Sequence, residues 1–380
     1  SQSVKIKDVL IIGAGAAGAT AAFHLAKAGK TVTLLEMSSK ELLKPCGGGM
    51  AAAVQQWFPF DLMPAVDEVI NRVDFSWNLS DPVIAELPGS SPFWIVRREK
   101  LDAYITTKAI EAGAEILRPF RVTRVEKQEG YWQVANDSGE KLTAKAVVIA
   151  DGSNSPWPKK FGLGPSQQHY AFTTSVRLER RGSLSKSTAK FEFGLVKHGF
   201  AWAFPLAGGI NIGIGSFIGQ HVTDRKVVLE QLLPALGFDP KEGIRTDGLL
   251  RVWNGHHSLN TDSLIAVGDA ASLCDPFLAE GLRPALLSGY EAASSLNSWL
   301  EGDKKDLNDY TKTMKSKWGD SMAWGRRISQ VFYRFPKVGY QLGIKRPTAP
   351  QRIAEILSGK MGYGDIATRV IRRLLFSADR

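Results

Sequence analysis

Two hydrophobic periods divide the chain. Unbroken apolar runs of strand length, DVLII at 8–12, TVTLL at 31–35, KAVVIA at 145–150 and SLIAV at 263–267, predict strands buried on both faces, as in a parallel sheet. The helical pattern at 16–28 lies between the first two, so the chain opens as a βαβ unit. The middle changes character. Short, often alternating runs rich in β-branched and aromatic residues, at 73–79, 83–87, 171–179, 189–196, 200–204 and 210–217, predict an antiparallel sheet. Within it Phe200, Trp202 and Phe204 share one strand face. After Glu280 the pattern is helical through Leu300, and from there helix-length stretches alternate with breaks at Pro336, Pro347, Pro350 and Gly359.

The order of these patterns predicts an α/β nucleotide domain of Rossmann type interleaved with an antiparallel sheet domain, followed by a helical C-terminal region. The 380 residues agree with this, since one hydrophobic core rarely serves more than about 250–300. An apolar fraction of 44% with 23% charged residues is that of an ordinary folded chain. Two cysteines far apart, Cys46 and Cys274, exclude a disulfide framework and the zinc spacings, and predict a reducing, cytoplasmic setting. Residues 9–28 are apolar enough to imitate a signal peptide or membrane span, but three glycines at a strand-to-helix turn, with His24 and Lys27 in the tail, predict a soluble or peripheral protein.

Charge is informative once located. Residues 311–380 hold 15 Lys or Arg against 4 Asp or Glu, while residues 1–310 sum to −1. Interleaved with Trp318, Trp324, Phe332, Tyr333, Phe335 and Tyr340, this basic region would suit an anionic membrane surface, a phosphorylated substrate or an acidic partner, or would simply form solvated helix faces. No nucleic-acid module is present, and nucleic acid is not an expected partner.

The clearest chemical motif is Gly13-x-Gly15-x-x-Gly18, placed between strand and helix, with Glu36 following 18 residues after Gly18 at the end of the next strand. The first glycine permits a tight turn, the second lets backbone approach a pyrophosphate, and the third lets helix and strand pack closely. Amides at the helix start, around Ala16 and Ala17, would face the phosphates. Glu36 would accept hydrogen bonds from ribose hydroxyls, which favours FAD or NAD over NADP.

Four further segments, in the same order, give the chain its resemblance: Arg98-Glu-Lys-Leu-Asp102, Ala150-Asp151-Gly152, Gly268-Asp269-Ala270 and Asp275-Pro-x-x-x-Glu280-Gly281. With the glycine motif they resemble the FAD-dependent oxidoreductases of the para-hydroxybenzoate hydroxylase superfamily, most closely the geranylgeranyl reductase family. The resemblance implies that Asp269, after Gly268, holds the ribityl chain of FAD, that Asp151 and Gly152 lie near its pyrophosphate, that Arg98 binds the cofactor from outside the glycine motif, and that Gly281 and Leu282 lie against the flavin. It divides the chain into an FAD-binding domain at 1–72, 97–164 and 259–300, a substrate domain at 73–96 and 165–258, and a basic helical region at 301–380.

Two segments point to reduction in particular. Lys44-Pro45-Cys46-Gly47-Gly48-Gly49-Met50 is similar to the Pro-Cys-Gly-Gly signature of these reductases, found close to the isoalloxazine ring. Three successive glycines leave a stretch of backbone bare, so that Gly47, Gly48 and Gly49 can approach a flat ring. Cys46 is implied as an active-site thiol; on residue type alone it is equally a small buried apolar side chain. His198-Gly-Phe200-Ala-Trp202-Ala-Phe204-Pro205 resembles the family's Tyr-x-Trp-x-Phe-Pro pattern lining the substrate cavity, with Phe200 in place of the tyrosine. Phe200, Trp202, Phe204 and Pro205 are therefore the expected substrate wall, more apolar than in relatives. The segment at 347–365 resembles the helical tail of the same enzymes.

The resemblance implies an enzyme that uses reduced FAD to saturate carbon–carbon double bonds of an isoprenoid, with NADPH or a small electron-carrier protein as electron donor. Its rivals are an FAD-dependent monooxygenase or halogenase acting on a hydrophobic aromatic, marked by a lysine in the pocket, and a flavin-bound lipid carrier or electron-transfer protein. No G-x-S-x-G elbow, Walker A loop, H-E-x-x-H helix or metal-ligand constellation is present in the sequence.

Overall fold

The run at 8–12 becomes the strand Lys7–Ile12, whose last four residues are buried. It pairs in parallel with Val32–Leu35 on one side and Lys141–Ile149 on the other, and the sheet continues to Glu115–Leu117 and Leu264–Ala266. A strand with a neighbour on each side and its last four residues buried has no solvated face there, which is why its sequence does not alternate. The computed structural model describes residues 5–44, 47–89, 92–217, 225–359 and 361–377.

Among these residues the first sheet has eight strands. Lys141–Ile149 is long enough to do two jobs. Its first half pairs antiparallel with Tyr131–Asn136, which in turn pairs with Val122–Gln128, and its second half joins the parallel core. The helix Ala16–Lys27 packs between the sheet, Arg98–Glu111 and Leu282–Leu300, and small residues set how closely it does so. A Cβ on Gly289 would lie 2.4 Å from the carbonyl oxygen of Ala17, so these two helices touch backbone to backbone.

The middle of the chain forms the antiparallel-rich sheet that its alternation predicts. Seven strands run in the order Ile244–Val252, His169–Leu178, Gly209–Ser216, Gly199–Leu206, Thr188–Phe193, Arg72–Trp77, Ser80–Glu86, with one parallel pair, Thr188–Phe193 with Arg72–Trp77. One face of this sheet covers a core with the helix Arg225–Ala235, while Phe200, Trp202 and Phe204 point to the other face and join the main core. A third, three-stranded sheet, Gly49–Ala51, Phe93–Val96 and Val66–Ile70, bridges the two. The chain ends in helices, among them Asp320–Arg334, Ala349–Leu357 and Tyr363–Ser377. No described helix is long and apolar enough to cross a membrane.

Candidate functional site

Parallel pairing aligns the C-terminal ends of the first sheet. Ile12 pairs with Leu35 and Ile149, and Ile149 pairs with Ala266, so Gly13, Glu36, Ala150 and Val267 all leave the sheet at one edge. A crevice at that edge is where open α/β sheets place ligands. The glycine motif is built there. Gly13 has φ +102°, and a Cβ on it would lie 2.3 Å from the carbonyl oxygen of Ala150; a Cβ on Gly18 would lie 2.1 Å from the carbonyl oxygen of Gly13. Both positions are forced to glycine by the chain's own packing. Gly15 is different: nothing lies closer than 3.9 Å to where its Cβ would be. Gly15 with Ala16 and Ala17 opens the helix Ala16–Lys27 towards the cleft, and Arg98 stands 4.0 Å from the same point.

This cradle fits FAD. Bare backbone at Gly15, unpaired amides at the start of a helix and a guanidinium beside them suit a pyrophosphate. Asp269 lines the same cleft behind Gly268, and burial pushes its carboxyl up to about 6 against the opposing pull of Arg98 and Arg251. Glu36, expected at the ribose, leaves the sheet at the same edge but is not among the residues lining the cleft, and its carboxylate accepts hydrogen bonds from the amides of Ala14 at 3.0 Å and Ser38 at 3.3 Å. Gly152 lines the cleft, whereas Asp151 sits behind it, and burial raises its carboxyl to about 6 although Ser155, Arg251 and Trp157 favour the charged form.

The cleft, about 1040 Å³ with its mouth, continues from the cradle to an aromatic wall. Gly47, Gly48 and Gly49 line it beside Phe200, Trp202 and Phe204. A Cβ on Gly47 would lie 3.1 Å from the Phe204 ring and 3.2 Å from Trp202 Nε1, and the Gly47 carbonyl accepts a hydrogen bond from Asn211. Trp202 Nε1 is buried without a hydrogen-bond partner among the described residues. Its indole lies over the neighbouring strand, where Gly213 pairs with it and would carry a Cβ only 2.1 Å from the ring. Pro45 and Cys46, the expected thiol, lie outside the described residues.

One substrate expectation is corrected. Pro205 is buried but does not line the cleft, because successive residues of a strand face opposite ways and Phe204 holds the cleft side. Other residues went unrecognised in the sequence. Phe93 and Phe191 complete the aromatic wall, with Phe191 and Phe204 rings 5.4 Å apart, and Thr173 and Leu250 enter from neighbouring strands. The most consequential is Glu280. It lines the cleft next to Gly281 and Leu282, Arg283 donates to its Oε2 at 3.0 Å, and its buried Oε1 has no hydrogen-bond partner among the described residues. Burial, reinforced by nearby Asp275, pushes its carboxyl up to about 7 despite Arg283. Asp275 holds the turn that presents it. Its Oδ1 accepts the amides of Phe277 and Leu278, its Oδ2 accepts the Tyr363 hydroxyl at 2.6 Å, and its own amide donates to the Glu280 carbonyl. The DPxxxEG spacing carried that signal.

Comparison with known proteins agrees with this geometry. The profile of the pyridine nucleotide-disulphide oxidoreductase family matches residues 7–188. A digeranylgeranylglycerophospholipid reductase of Methanothermobacter thermautotrophicus is 28% identical over 343 residues, covering 85% of this chain and 87% of the relative. The chain is an FAD-dependent oxidoreductase that is similar to the geranylgeranyl reductases. Another relative, a menaquinone reductase of Mycobacterium tuberculosis, is 26% identical and covers 98% of this chain and 92% of its own. The fold of the chain is that of a geranylgeranyl bacteriochlorophyll reductase-like protein from Thermoplasma acidophilum, with a TM-score of 0.79 at 21% identity over 94% of this chain and 92% of that one. Among the described residues no group of three or more His, Cys, Asp or Glu is placed to hold a metal ion.

Proposed function

We propose that the protein reduces carbon–carbon double bonds in the prenyl chain of a lipid, a prenylated quinone or a prenyl diphosphate. The observation that carries this reading is a single cleft in which the glycine cradle leads directly to a wall of Phe200, Trp202, Phe204, Phe191 and Phe93, with the buried acid Glu280 in its lining beside Gly281. Bound FAD, once reduced, supplies hydride. An isolated alkene has no carbonyl to polarise, so addition of the second hydrogen needs a proton delivered to the neighbouring carbon. Glu280 can hold that proton at Oε1 near neutral pH, and Arg283 fixes the carboxyl by its other oxygen and offsets the negative charge left behind. The aromatic wall orients the prenyl chain and keeps water from the reacting carbons. The electron donor in this reading is NADPH or a small electron-carrier protein.

The names of the two relatives support a prenylated substrate. Against the monooxygenase or halogenase reading stands Lys44, the lysine nearest in sequence to the glycine run, which pairs with buried Asp102. The test is single turnover. The yellow protein is reduced anaerobically with dithionite and mixed with geranylgeranyl diphosphate or a digeranylgeranyl lipid. The expected product gains two hydrogens per double bond as the flavin colour returns; substrates all recovered at unchanged mass, with the flavin still bleached, reject the reading.

A further inference from the structure

A second cavity, about 1010 Å³ with its mouth, lies in the C-terminal region. Phe277, Ile328, Phe332, Ile353 and Ile356 form its apolar lining. Consecutive residues divide between this cavity and the flavin cleft: Phe277 and Ile356 line the former, Leu278 and Leu357 the latter. The second cavity therefore backs onto the turn that carries Glu280. Leu342, Gly343, Arg346 and Thr348 stand at its outer side and are exposed.

The surface around that mouth is unusual. Val331, Phe335, Val338 and Leu342 are 70%, 57%, 54% and 58% exposed, four large apolar side chains within twelve residues. Tyr340 and Ile344, which alternate with them along the same helical run, are fully buried, so the run is firmly seated on the protein by one side and presents the other outward. Tyr340 donates from its hydroxyl to the carbonyl of Asp81, which fixes that seating. The same stretch is strongly basic. From residue 321 to 354 the chain carries seven Lys or Arg and no Asp or Glu. Arg334, Lys337 and Arg346 are exposed beside the apolar side chains, and the Arg334 guanidinium lies over the Phe335 ring at 5.6 Å. One acid from another strand, Asp81, meets this run, and it is taken up by Lys345 at 2.8 Å and Gln341 at 3.0 Å. Large apolar side chains flanked by the remaining cations match the boundary of an anionic bilayer, where apolar groups enter the acyl region and cations meet the headgroups.

We propose that this face seats the protein on an anionic phospholipid bilayer with the mouth of the second cavity turned to the lipid. The anionic bilayer is favoured over a protein partner by the charge: acidic headgroups form a continuous counter-surface for cations spread along the whole run. A hydrophobic substrate would then reach the protein without crossing water. The proposal extends the reading of the flavin cleft but is measured without turnover, so each stands or falls on its own experiment.

The FAD-loaded protein is sedimented with vesicles of phosphatidylcholine alone and of phosphatidylcholine mixed with phosphatidylglycerol. Wild type is expected to pellet with the mixed vesicles and to be released by salt. Phe335→Ser with Leu342→Ser is expected to lower partitioning about tenfold or more, by removing the apolar insertion. Arg334→Glu with Lys337→Glu, which leaves the apolar groups in place, is expected to abolish the preference for mixed vesicles. All four side chains are exposed, so FAD content and melting temperature serve as folding controls. Wild type remaining in the supernatant with mixed vesicles overturns the proposal, as does unchanged binding by both double variants. So does loss of a dimer in sedimentation velocity caused by Phe335→Ser with Leu342→Ser in a protein that ignores vesicles, which would assign the face to a second copy of the chain.

Discussion

Arg283 holds Glu280 by one carboxylate oxygen at 3.0 Å and leaves the other buried and without a hydrogen-bond partner among the described residues. An acid held in this way is oriented but not satisfied, and with its carboxyl at about 7 it is still protonated in about half of the molecules at neutral pH. If that proton goes to substrate, turnover falls as pH rises through about 7. Glu280→Gln keeps the shape and loses the proton, and is expected to slow product formation about a hundredfold, within the usual range for general acid catalysis. The measurement is the pH profile of single-turnover product formation. A profile in Glu280→Gln that matches wild type in height and shape would remove Glu280 from the mechanism.

The same carboxyl has a signature in stability. Its folded value, about 7, lies above the ordinary 4.5, so the folded state binds more protons than the unfolded state between those limits. Its contribution is therefore full below about pH 4.5, is lost as pH rises towards 7, and is flat beyond. At 1.36 kcal/mol per unit the loss is on the order of 3 kcal/mol. Asp151 and Asp269 add slopes of the same sign, but the difference between wild type and Glu280→Gln isolates one group. Melting of the FAD-free proteins from pH 5 to 8 should show the variant losing less stability than wild type over the lower part of that range.

The glycine motif separates folding from binding. Gly18→Ala would drive a methyl to 2.1 Å from the Gly13 carbonyl oxygen, and is expected to cost more than about 3 kcal/mol or to prevent folding. Gly15→Ala meets no atom of the chain within 3.9 Å, so the FAD-free protein should melt close to wild type. Its methyl would instead occupy the approach to the pyrophosphate, and FAD affinity should fall at least about tenfold, about 1.4 kcal/mol. Flavin fluorescence titration beside thermal melting distinguishes the two effects. Equal losses of stability in both variants would contradict the separate roles.

The Tyr363 hydroxyl joins the C-terminal helix Tyr363–Ser377 to Asp275 at 2.6 Å. Tyr363→Phe leaves Asp275 Oδ2 unpaired in the interior and should cost about 1–3 kcal/mol. Asp275 retains the amides of Phe277 and Leu278, so the turn itself should persist and FAD should still bind. Limited proteolysis should cut the C-terminal region of the variant sooner than that of wild type. Unchanged cleavage and melting would mean that the bond does not latch the helix.

Features read correctly from the sequence are those whose physics is local. Gly13 and Gly18 can be recognised without a structure because a tight turn and a close helix need glycine wherever they occur. The unbroken 8–12 run marks a central strand because burial on both faces erases alternation. Trp202 and Phe204 reach the cleft because a strand's period is two, and the same period turns Pro205 away. What escaped the reading depends on pairing between distant segments. Phe93, Phe191, Thr173 and Leu250 meet the cleft only because their strands lie beside Gly199–Leu206 or near it in two sheets, and no spacing in the sequence announces that. The hairpin from Val122 to Asn136 was missed because its exposed face carries Arg124 and Glu126 and its inner face, with buried Val125, also carries Lys127 over Trp132, which dilutes the apolar signal. Glu280 was visible as part of a motif, but its elevated carboxyl arises from Asp275 and burial, which only the folded turn supplies.

The long strand Lys141–Ile149, shared between a local hairpin and the parallel core, has a consequence for the order of assembly. Hairpin pairing joins near neighbours and can form early, whereas Lys7–Ile12, which finds Val32–Leu35 close by, must wait for its second partner more than a hundred residues later in the chain, and that partner must wait for Leu264–Ala266. Gly15, Arg98 and Asp269 thus become neighbours only after most of the polypeptide has been made and threaded into place. The yellow colour of bound flavin is then a visible certificate of completed topology, acquired late in the life of each new molecule.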